Sequence, residues 1–544
     1  MTADRDFADG QPVYLDYAAT TPVDPAVARA MFDCLTEGGD FGNASSATHV
    51  FGRRAAARIE TARAQVAALI RAEPDEITFT SGGTESNNLA ILGLARANAD
   101  RGRHVVTART EHKAVLDPCK RLEREGFTVT YLTPDRQGRI DPETVRAALR
   151  PDTLLVSIMY VNNEIGVIQD VGAIAALCRD RGVAFHTDAA QAVGKIPVDV
   201  QTLPIDFLSF NAHKLYGPKG VGALYARRAS RPLLQPVSFG GGQERGLRPG
   251  TLATHQIVGF GAACEVAAAS LDAEVLRLTA FRERLWEGLV GLGGAHLNAS
   301  EAPRSPGILN VSFEGVEGES LVMGLPELAI STGSACNSAS AEPSYVLRAL
   351  GRDTQLAQSS LRISVGRFTT AAEVDLAVDA VRREVTRLRA LSPASEDPAD
   401  RRAADVNAVD REDAPDRRNT AVAATTVPRE ATSQDAGLPA DAGRAVQVTG
   451  EAGGPGEETW VRFHLTVEDG IVKAARFKAY GCPHTLAVLD LLARRLPGRT
   501  RNEGPPGTPA GWTEELSVPV EKLGRLLVVE DALLACFARW PSGA

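Results

Sequence analysis

The sequence has 544 residues, enough for roughly three to four domains of ordinary size and for a large buried core. Its 59 basic and 68 acidic side chains give a net charge of −9, which argues against phosphate-dominated nucleic-acid binding as its main role. A hydrophobic fraction of 44% with 23% charged residues is typical of a soluble globular protein. The seven cysteines are too sparse for a disulfide framework, and the N-terminal segment lacks the apolar core of a signal peptide, so we expect a cytoplasmic protein.

Composition divides the chain into three parts. Residues 12–391 are densely patterned, whereas residues 392–458 are rich in Ala, Asp, Arg, Gly and Pro and contain no aromatic side chain. Such a segment can bury too little surface to offset its ordering entropy, which predicts a disordered linker. Hydrophobic patterning returns over residues 459–544, which predicts a small second domain.

In the first part, short β-branched runs alternate with helical patterns, which predicts an α/β fold with a mainly parallel sheet. An amphipathic helix precedes the first strand, because Ile59, Ala62, Val66 and Leu69 recur at three- and four-residue spacing. The predicted strands are Glu76–Phe79, His104–Ala108, Thr128–Leu132, Thr153–Met159, Val183–Thr187, Phe207–Phe210 and Gly222–Ala226.

Polar residues directly follow several of these strands, where open α/β sheets bind their ligands. The turn Thr80–Ser86 opens a helix and could hold a phosphate on its backbone N–H groups, or could simply cap that helix. His112 could stack on a cofactor ring and move protons, or be structural. Asn162 and Asn163 could offer amide donors, or form an Asn turn.

Asp188 and Lys214 follow two later strands. The Asp188 carboxylate could pair with a protonated ring nitrogen or cap the next helix, and Gln191 lies three residues beyond it. Lys214, after His213, could be solvated, or could form a Schiff base if a phosphate site and an acidic ring partner lie beside it. That combination is what pyridoxal phosphate chemistry requires.

Cys336 lies among small polar residues, in STGSACNSASAEPSYVLRAL. This composition predicts a mobile surface loop, and an accessible thiol there can act as a nucleophile or be incidental. Four other cysteines fall within helical patterns and are predicted to be inert packing residues, namely Cys34, Cys119, Cys178 and Cys264.

From about Tyr14 to Leu391 the chain resembles the housekeeping bacterial cysteine desulfurases that supply sulfur for iron–sulfur clusters. These are fold-type I pyridoxal phosphate enzymes. The motifs that carry the resemblance are YLDYAATTPVDP, FTSGGTESNNLAI, TEHKAVLD, VNNEIGV, HTDAAQAVGK, AHKLYGPKGVGALY, ERGLRPGTL, GSACNSASAEPSYVLRALG and SSLRISVGRFTT.

The resemblance implies a role for each matching residue. Lys214 would form the Schiff base, Asp188 would pair with the pyridinium nitrogen, Gln191 would bind the phenolic oxygen, and His112 would stack on the ring and assist proton transfer. Cys336 would attack the sulfur of L-cysteine and carry it as a persulfide, leaving L-alanine.

The same resemblance implies which residues bind the cofactor phosphate and the substrate. Gly83, Thr84 and His213 would hold the phosphate, and Thr251 would reach the phosphate of the partner subunit across a homodimer interface. It also implies that Arg362 would bind the substrate carboxylate in a bidentate fork, aided by Asn163.

Two positions depart from the family pattern. Asn211 and Ala212 stand where Ser-Gly is common, so an amide replaces a hydroxyl at the phosphate. Pro249 stands where Ser is usual. Both could alter cofactor affinity.

The C-terminal part looks like the iron–sulfur cluster scaffold protein, with a predicted hairpin turning at Asp469 and Gly470. A helix follows, with Leu486, Leu489, Leu492 and Leu496 on one face. The resemblance implies three cysteine ligands, of which only Cys482 is present, so we expect no metal site, because a cluster needs about four ligands. Glu457 or a neighbour and Arg525 occupy other ligand positions, Cys482 could accept sulfur or be a relic, and Cys536 is predicted to be core.

Two other function classes are compatible with parts of the sequence. Selenocysteine lyase chemistry would keep the cofactor, and an aminotransferase would have no use for Cys336. A non-catalytic assembly platform would gain nothing from the combination of Lys214, Asp188, His112 and Cys336. Cysteine desulfurase activity, with sulfur-acceptor proteins such as a scaffold as partners, is therefore the leading hypothesis.

Overall fold

The computed structural model describes residues 11–332, 343–391, 429–432, 446–453, 459–481, 483–516, 518 and 522–540. They fall into two units. The first comprises Met1–Glu314 and Leu325–Arg382, and the second comprises Gly315–Gly324 and Arg383–Ala544. No helix among the described residues is long and apolar enough to cross a membrane.

The strands up to residue 391 are β1 (Val13–Tyr14), β2 (Ile77–Thr80), β3 (His104–Ala108), β4 (Thr128–Leu132), β5 (Thr153–Ser157), β6 (Ala184–Asp188), β7 (Phe207–Asn211), β8 (Gly222–Ala226), β9 (Ala295–Leu297), β10 (Ile308–Phe313), β11 (Leu328–Ala329), β12 (Ser331–Thr332) and β13 (Ser360–Ser364). The helices are α1 (Pro25–Phe32), α2 (Val50–Leu69), α3 (Gly83–Ala97), α4 (Lys113–Arg124), α5 (Pro142–Ala148), α6 (Val171–Asp180), α7 (Thr254–Val290), α8 (Gly318–Met323), α9 (Tyr345–Ala349), α10 (Thr354–Gln358) and α11 (Ala371–Leu391).

The first unit is built on a seven-stranded sheet in the order β2-β8-β7-β6-β5-β3-β4. All seven predicted strands are present, with boundaries within two residues of those expected. Parallel pairing joins β7, β6, β5, β3 and β4, whereas β8 runs antiparallel to both β2 and β7. The mainly parallel α/β sheet is therefore confirmed.

Helix α2 packs its predicted apolar face against the rest of the core. Ile59, Ala62 and Val66 are at most 1% exposed. At about 25 cal/mol per Å² of buried apolar surface, each such side chain contributes on the order of 1–3 kcal/mol relative to an exposed one. This packing fixes the helix layer on the sheet.

A smaller antiparallel sheet, in the order β12-β13-β10-β9, lies in the C-terminal part of this region. Its strand β13 carries Arg362, which is in register with Asn310 of β10 and Ser331 of β12. Strand β1 pairs in parallel with β11 and precedes Asp16, which bridges to Ser364 at the end of β13. The N-terminal segment is thereby brought next to Arg362.

The second unit contains an antiparallel sheet covered by helices, and its strand order is β14-β17-β16-β15. The strands are β14 (Arg429–Thr432), β15 (Val446–Gly453), β16 (Trp460–Glu468) and β17 (Ile471–Gly481), and the helices are α12 (Pro483–Arg495), α13 (Pro509–Glu515) and α14 (Leu523–Ala538). The predicted hairpin is confirmed, because Glu468 pairs with Ile471 and both turn residues, Asp469 and Gly470, have positive φ, at 52° and 72°. That is the backbone a two-residue hairpin turn needs.

The core of this unit confirms the predicted helix face. Leu489, Leu492 and Leu496 are fully buried and Leu486 packs beside them. Cys536 is also fully buried, as expected, with its Sγ close to backbone carbonyls. Burial raises the pKa of the Cys536 thiol to about 12, so it stays protonated and inert at neutral pH.

The linker prediction is wrong for residues 429–432 and 446–453, where β14 and β15 complete the sheet. Strand β15 has little apolar surface of its own, but its pairing with β16 over eight residues and the burial of Val448 stabilise it. Gly450 lets it approach α14, since a Cβ there would lie 2.2 Å from the carbonyl oxygen of Ala532. These contacts come from residues distant in sequence and leave no local pattern.

The second unit also takes in residues 315–324 and starts at Arg383, before the predicted boundary at position 391. Helix α8 packs against α14, where a Cβ on Gly524 would lie 2.5 Å from the Ser320 hydroxyl. Arg525 lies 3.8 Å from the Glu319 carboxylate. The unit is therefore assembled from segments far apart in the chain.

Candidate active site

A cavity of about 800 Å³ lies in the first unit at the carboxyl ends of the central strands. Each of β2, β3, β5, β6 and β7 delivers polar residues to it from the turn that follows the strand. Ten of the twelve residues predicted for the site line this cavity, namely Gly83, Thr84, His112, Asn163, Asp188, Gln191, Asn211, His213, Lys214 and Arg362. The two others are Thr251, which is exposed and does not line it, and Cys336, which lies outside the described residues together with Cys482.

Asp188 ends strand β6 and is only 6% exposed. Its Oδ2 accepts a hydrogen bond of 2.7 Å from Asn87 Nδ2, and its Oδ1 accepts one of 3.0 Å from the backbone N–H of Ala190. The carboxylate thus steadies the turn after the strand and also faces the cavity. Such a buried carboxylate is suited to pairing with a protonated ring nitrogen.

Lys214 lies in a short 3-10 turn, Ala212–Lys214, directly after β7. Its Nζ donates to the carbonyl oxygens of Ala18 and Ala19, the latter at 2.7 Å. The neighbouring His213 places Nδ1 3.1 Å from the Thr20 hydroxyl. Burial lowers the pKa of His213 to about 4, and Lys214 adds to that shift, so its ring is neutral at physiological pH.

The turn after β2, where a phosphate site is predicted, leads into the N-terminus of α3 and lines the cavity. The helix begins at Gly83, and the Glu85 carboxylate accepts from the Ser81 N–H and lies 3.1 Å from Arg248 Nε. The unpaired N–H groups of a fifteen-residue helix favour an anion.

Asn211, the departure from the family pattern, lies beside this turn. Its Nδ2 is 3.0 Å from the position that a Cβ on Gly83 would take, so only glycine fits there without displacing the amide. The Asn211 Oδ1 is buried and lacks a hydrogen-bond partner among the described residues. The amide therefore lies directly beside the first residue of α3.

His112 begins helix α4 as its N-cap, with Nδ1 accepting a hydrogen bond of 3.1 Å from the N–H of Ala114. In the neutral ring the proton therefore resides on Nε2. Burial lowers the pKa of His112, Asp188 opposes that shift, and Lys214 adds to it. The ring both caps the helix and lines the cavity, so the capping role leaves the functional role possible as a prediction.

Arg362 is nearly buried, with 5% of its side chain exposed. Its Nη1 donates to the Asn163 carbonyl at 3.0 Å, and its Nη2 donates to Asp16 Oδ1 at 2.8 Å. Both Arg362 Nε and Asn163 Oδ1 are buried without a hydrogen-bond partner among the described residues. These two orphaned atoms fit a small polar ligand whose carboxylate and amine would satisfy them.

Sequence reasoning missed several buried or half-buried polar residues around the cavity. Asp16 and Asn87 lie within quoted motifs, yet their contacts with Arg362 and Asp188 span 346 and 101 residues. Glu111 and Glu164 are fully buried, and burial raises the pKa of Glu111 well above its usual value and that of Glu164 to about 7. The only sequence signal was their position next to polar residues that follow strands.

The remaining cysteines of the first unit are buried, as predicted: Cys34, Cys119, Cys178 and Cys264. Burial raises the pKa of Cys119 and Cys178 to about 12. Among the described residues, His, Cys, Asp and Glu form no group that could hold a metal ion.

Comparison with known proteins relates this site to a family. The aminotransferase class-V family model matches residues 13–377. The cysteine desulfurase IscS of Pectobacterium atrosepticum is 56% identical over 382 residues, which cover 70% of this chain and 95% of that protein. The solved structure of a NifS-like protein is 37% identical with a TM-score of 0.64, covering 69% of this chain and all of that one. The structure of SspA in complex with cysteine is 40% identical with a TM-score of 0.58, covering 65% and 98%.

Proposed function

The chain belongs to the class-V aminotransferase family as a pyridoxal phosphate-dependent cysteine desulfurase, and from that premise we propose how its residues divide the work. The observation that carries the proposal is the convergence of Asp188, Lys214, His112 and Arg362 on one cavity. The overall reaction removes sulfur from L-cysteine, leaves L-alanine, and passes the sulfur on as a persulfide.

The cavity fits the cofactor by the chemistry of its groups. Lys214 supplies the amine that would hold the aldehyde carbon, and Asp188 a carboxylate for the ring nitrogen. The N-terminus of α3 with Gly83, Thr84, Asn211 and His213 would hold the phosphate. When bound, pyridoxal phosphate supplies an electron sink for the substrate's α-carbon.

The substrate would be oriented by Arg362 and Asn163. A carboxylate can take the place of Asp16 on the guanidinium, or bind the unpartnered Nε edge. Lys214, whose Nζ reaches two backbone carbonyls on the cavity wall, would move the proton at the α-carbon. His112, neutral and protonated on Nε2, would assist that transfer.

Cys336 is the proposed nucleophile toward the substrate sulfur. Its thiolate would form an S–S bond as the carbon–sulfur bond of cysteine breaks, and the electron pair of that bond would stay with the carbon skeleton, which takes up protons to become alanine. Of the seven cysteines, the five within the described residues are buried, which leaves Cys336 and Cys482 for this role.

The experiment that tests this proposal follows two products from one reaction. Purified protein loaded with pyridoxal phosphate is given L-cysteine without reductant, and alanine is measured together with the mass of the Cys336 peptide. We expect alanine and a 32-dalton adduct in about equal amounts during the first turnover, since one sulfur atom is transferred per alanine formed. Alanine without any adduct on this peptide would contradict the role of Cys336.

The protein is also proposed to act as a homodimer in which Thr251 completes the partner's phosphate site. Support comes from the exposure of Thr251 and from large apolar side chains on the surface of the single chain. Phe239 is 86% exposed, and the half-exposed Phe41 and Phe51 stack with ring centroids 5.5 Å apart. Mixing Thr251→Ala chains with Lys214→Ala chains should restore one competent site per mixed dimer.

The second unit is proposed to be a scaffold-like domain that does not hold a cluster. An antiparallel sheet covered by helices supports this domain type, and Arg525, at a position where the scaffold has a ligand, supports the absence of a cluster. The protein is also proposed to work in the cytoplasm and to pass sulfur to an iron–sulfur scaffold. Anaerobic reconstitution of the full chain with iron and cysteine should give no stable cluster absorbance. Cell fractionation tests the proposed location, and capture of scaffold protein by the purified chain tests the proposed sulfur acceptor.

A further inference from the structure

A second lysine lies behind the cofactor cavity and has no role in the proposal above. Lys195 follows Gln191 by four residues, in the turn after β6, and its Nζ donates a 2.8 Å hydrogen bond to Gln191 Oε1. Among the described residues, this is the hydrogen bond that its side chain makes, and it forms no salt bridge with a carboxylate.

The position is an unfavourable one for a cation. Burial, together with the nearby charges of Lys214 and Arg362, lowers the pKa of Lys195 to about 7. An apolar side chain would avoid this desolvation and repulsion. A lysine held here without a carboxylate partner in the described structure points to a function of its amino group.

The hydrogen bonds of Gln191 show what that group does. The Gln191 Nε2 donates at 2.7 Å to the carbonyl oxygen of Ala18, which also accepts from Lys214 Nζ. The Ala18 carbonyl can only accept, so the amide turns its NH2 group toward it and leaves its oxygen to accept from Lys195 Nζ. The two neighbours therefore fix both ends of the amide, with the oxygen toward Lys195 and the NH2 group beside Lys214.

We propose that Lys195 is a positioning residue that acts through Gln191. Its hydrogen bond holds the amide so that the NH2 group is presented to the phenolic oxygen of the bound cofactor ring, and it polarises that group into a better donor. The inference rests on the proposed function, in which Gln191 contacts that oxygen.

The test is a double-mutant cycle on cofactor binding, which does not depend on turnover. Lys195→Met, Gln191→Ala and the double variant are stripped of cofactor and titrated with pyridoxal phosphate. We expect each single variant to weaken binding about tenfold, and Lys195→Met to have less than about a twofold effect in the Gln191→Ala background. Lys120→Met, which removes a charge from an exposed position of helix α4, is the matched control.

The outcomes distinguish failure of the proposed Gln191 contact from failure of the proposed Lys195 role. If Gln191→Ala binds the cofactor normally, the proposed contact of Gln191 fails. If Gln191→Ala weakens binding but Lys195→Met costs the same factor in both backgrounds, Lys195 acts by packing or bulk charge and the positioning role is overturned. Thermal unfolding of the cofactor-free variants monitors folding, and Lys195→Gln, which keeps a neutral donor, replaces the Met variant if that one does not fold.

Discussion

Around the cavity of the first unit, carboxylates, amides and cations are buried together, whereas the described core of the second unit over residues 446–540 is almost wholly apolar. Asp188, Asn87, Gln191 and Arg362 are each at most 6% exposed. In that part of the second unit the fully buried polar side chains are two threonines, Thr459 and Thr485.

This difference shows that burial of ionic groups and burial of apolar surface have different consequences for stability and chemistry. Burying an ionic group costs several kcal/mol unless partners compensate, so the first unit gives up stability to hold reactive groups in fixed positions. Burying apolar surface contributes about 25 cal/mol per Å² and positions no reactive group. Changes at the cavity should therefore alter chemistry, and loss of the second unit should leave chemistry intact.

The largest effect is expected for Lys214→Ala, because Lys214 lines the cavity and is the residue proposed to bind the cofactor covalently. We expect complete loss of the covalent link to the cofactor and of alanine production. Borohydride reduction followed by intact mass measurement checks the link. A variant that still gains the mass of the reduced cofactor would refute the assignment of Lys214 as the cofactor-binding lysine. It would also contradict the expectation that changes at the cavity alter the chemistry.

Cys336→Ala should lose sulfide release and retain the cofactor link, because the cofactor is held by other residues. Absorbance after addition of L-cysteine should still change while sulfide stays at background. Cys34→Ala, which removes a buried thiol, is the control and should retain activity. Normal sulfide release by Cys336→Ala would exclude a persulfide on this residue.

Arg362→Lys should raise the KM for cysteine by about 100-fold, because a single ammonium cannot reproduce two directed hydrogen bonds. Steady-state kinetics measures this, with cofactor affinity as the internal control, expected to change less than about twofold. An unchanged KM would show that another group binds the carboxylate.

Glu164→Gln tests, through the pH dependence of stability, the cost of burying an ionisable group near the cavity. Burial raises the pKa of this carboxyl from 4.5 to about 7, so its contribution to stability is full below pH 4.5 and is lost as pH rises through 7. The difference corresponds to about 3 kcal/mol. Urea unfolding between pH 5 and 8 should show stability falling with pH in the parent more steeply than in the variant, and parallel curves would contradict the assignment.

The smallest effect on catalysis is expected when the chain ends at Leu391. Every proposed catalytic residue precedes position 370, so alanine production should stay within about twofold of the full chain. Because residues 315–324 and 383–391 pack within the second unit, unfolding is followed alongside activity. A folded truncated chain without alanine production would show that the second unit contributes to the chemistry.

The sequence by itself determined the seven central strands, the polar turns that follow them and the hairpin at Asp469 and Gly470. These features are local, because each of the patterns that predict them spans only a few consecutive residues: β-branched runs, three- and four-residue spacing, and two-residue turns. Nine of the ten predicted residues that meet in the cavity do so because they lie at or after the carboxyl end of a central strand, where these ends reach the same sheet edge. Arg362 is the exception, since it lies within β13 of the smaller sheet.

Only the tertiary structure decided which partners those residues have. The antiparallel direction of β8, the pairing of β15 with β16, the Asp16–Arg362 ion pair and the Lys195–Gln191–Ala18 chain of hydrogen bonds depend on how elements pack. Buried polar groups gain stability only when a partner from elsewhere in the fold satisfies them. Such partners have no fixed spacing in sequence, so no local pattern could reveal them.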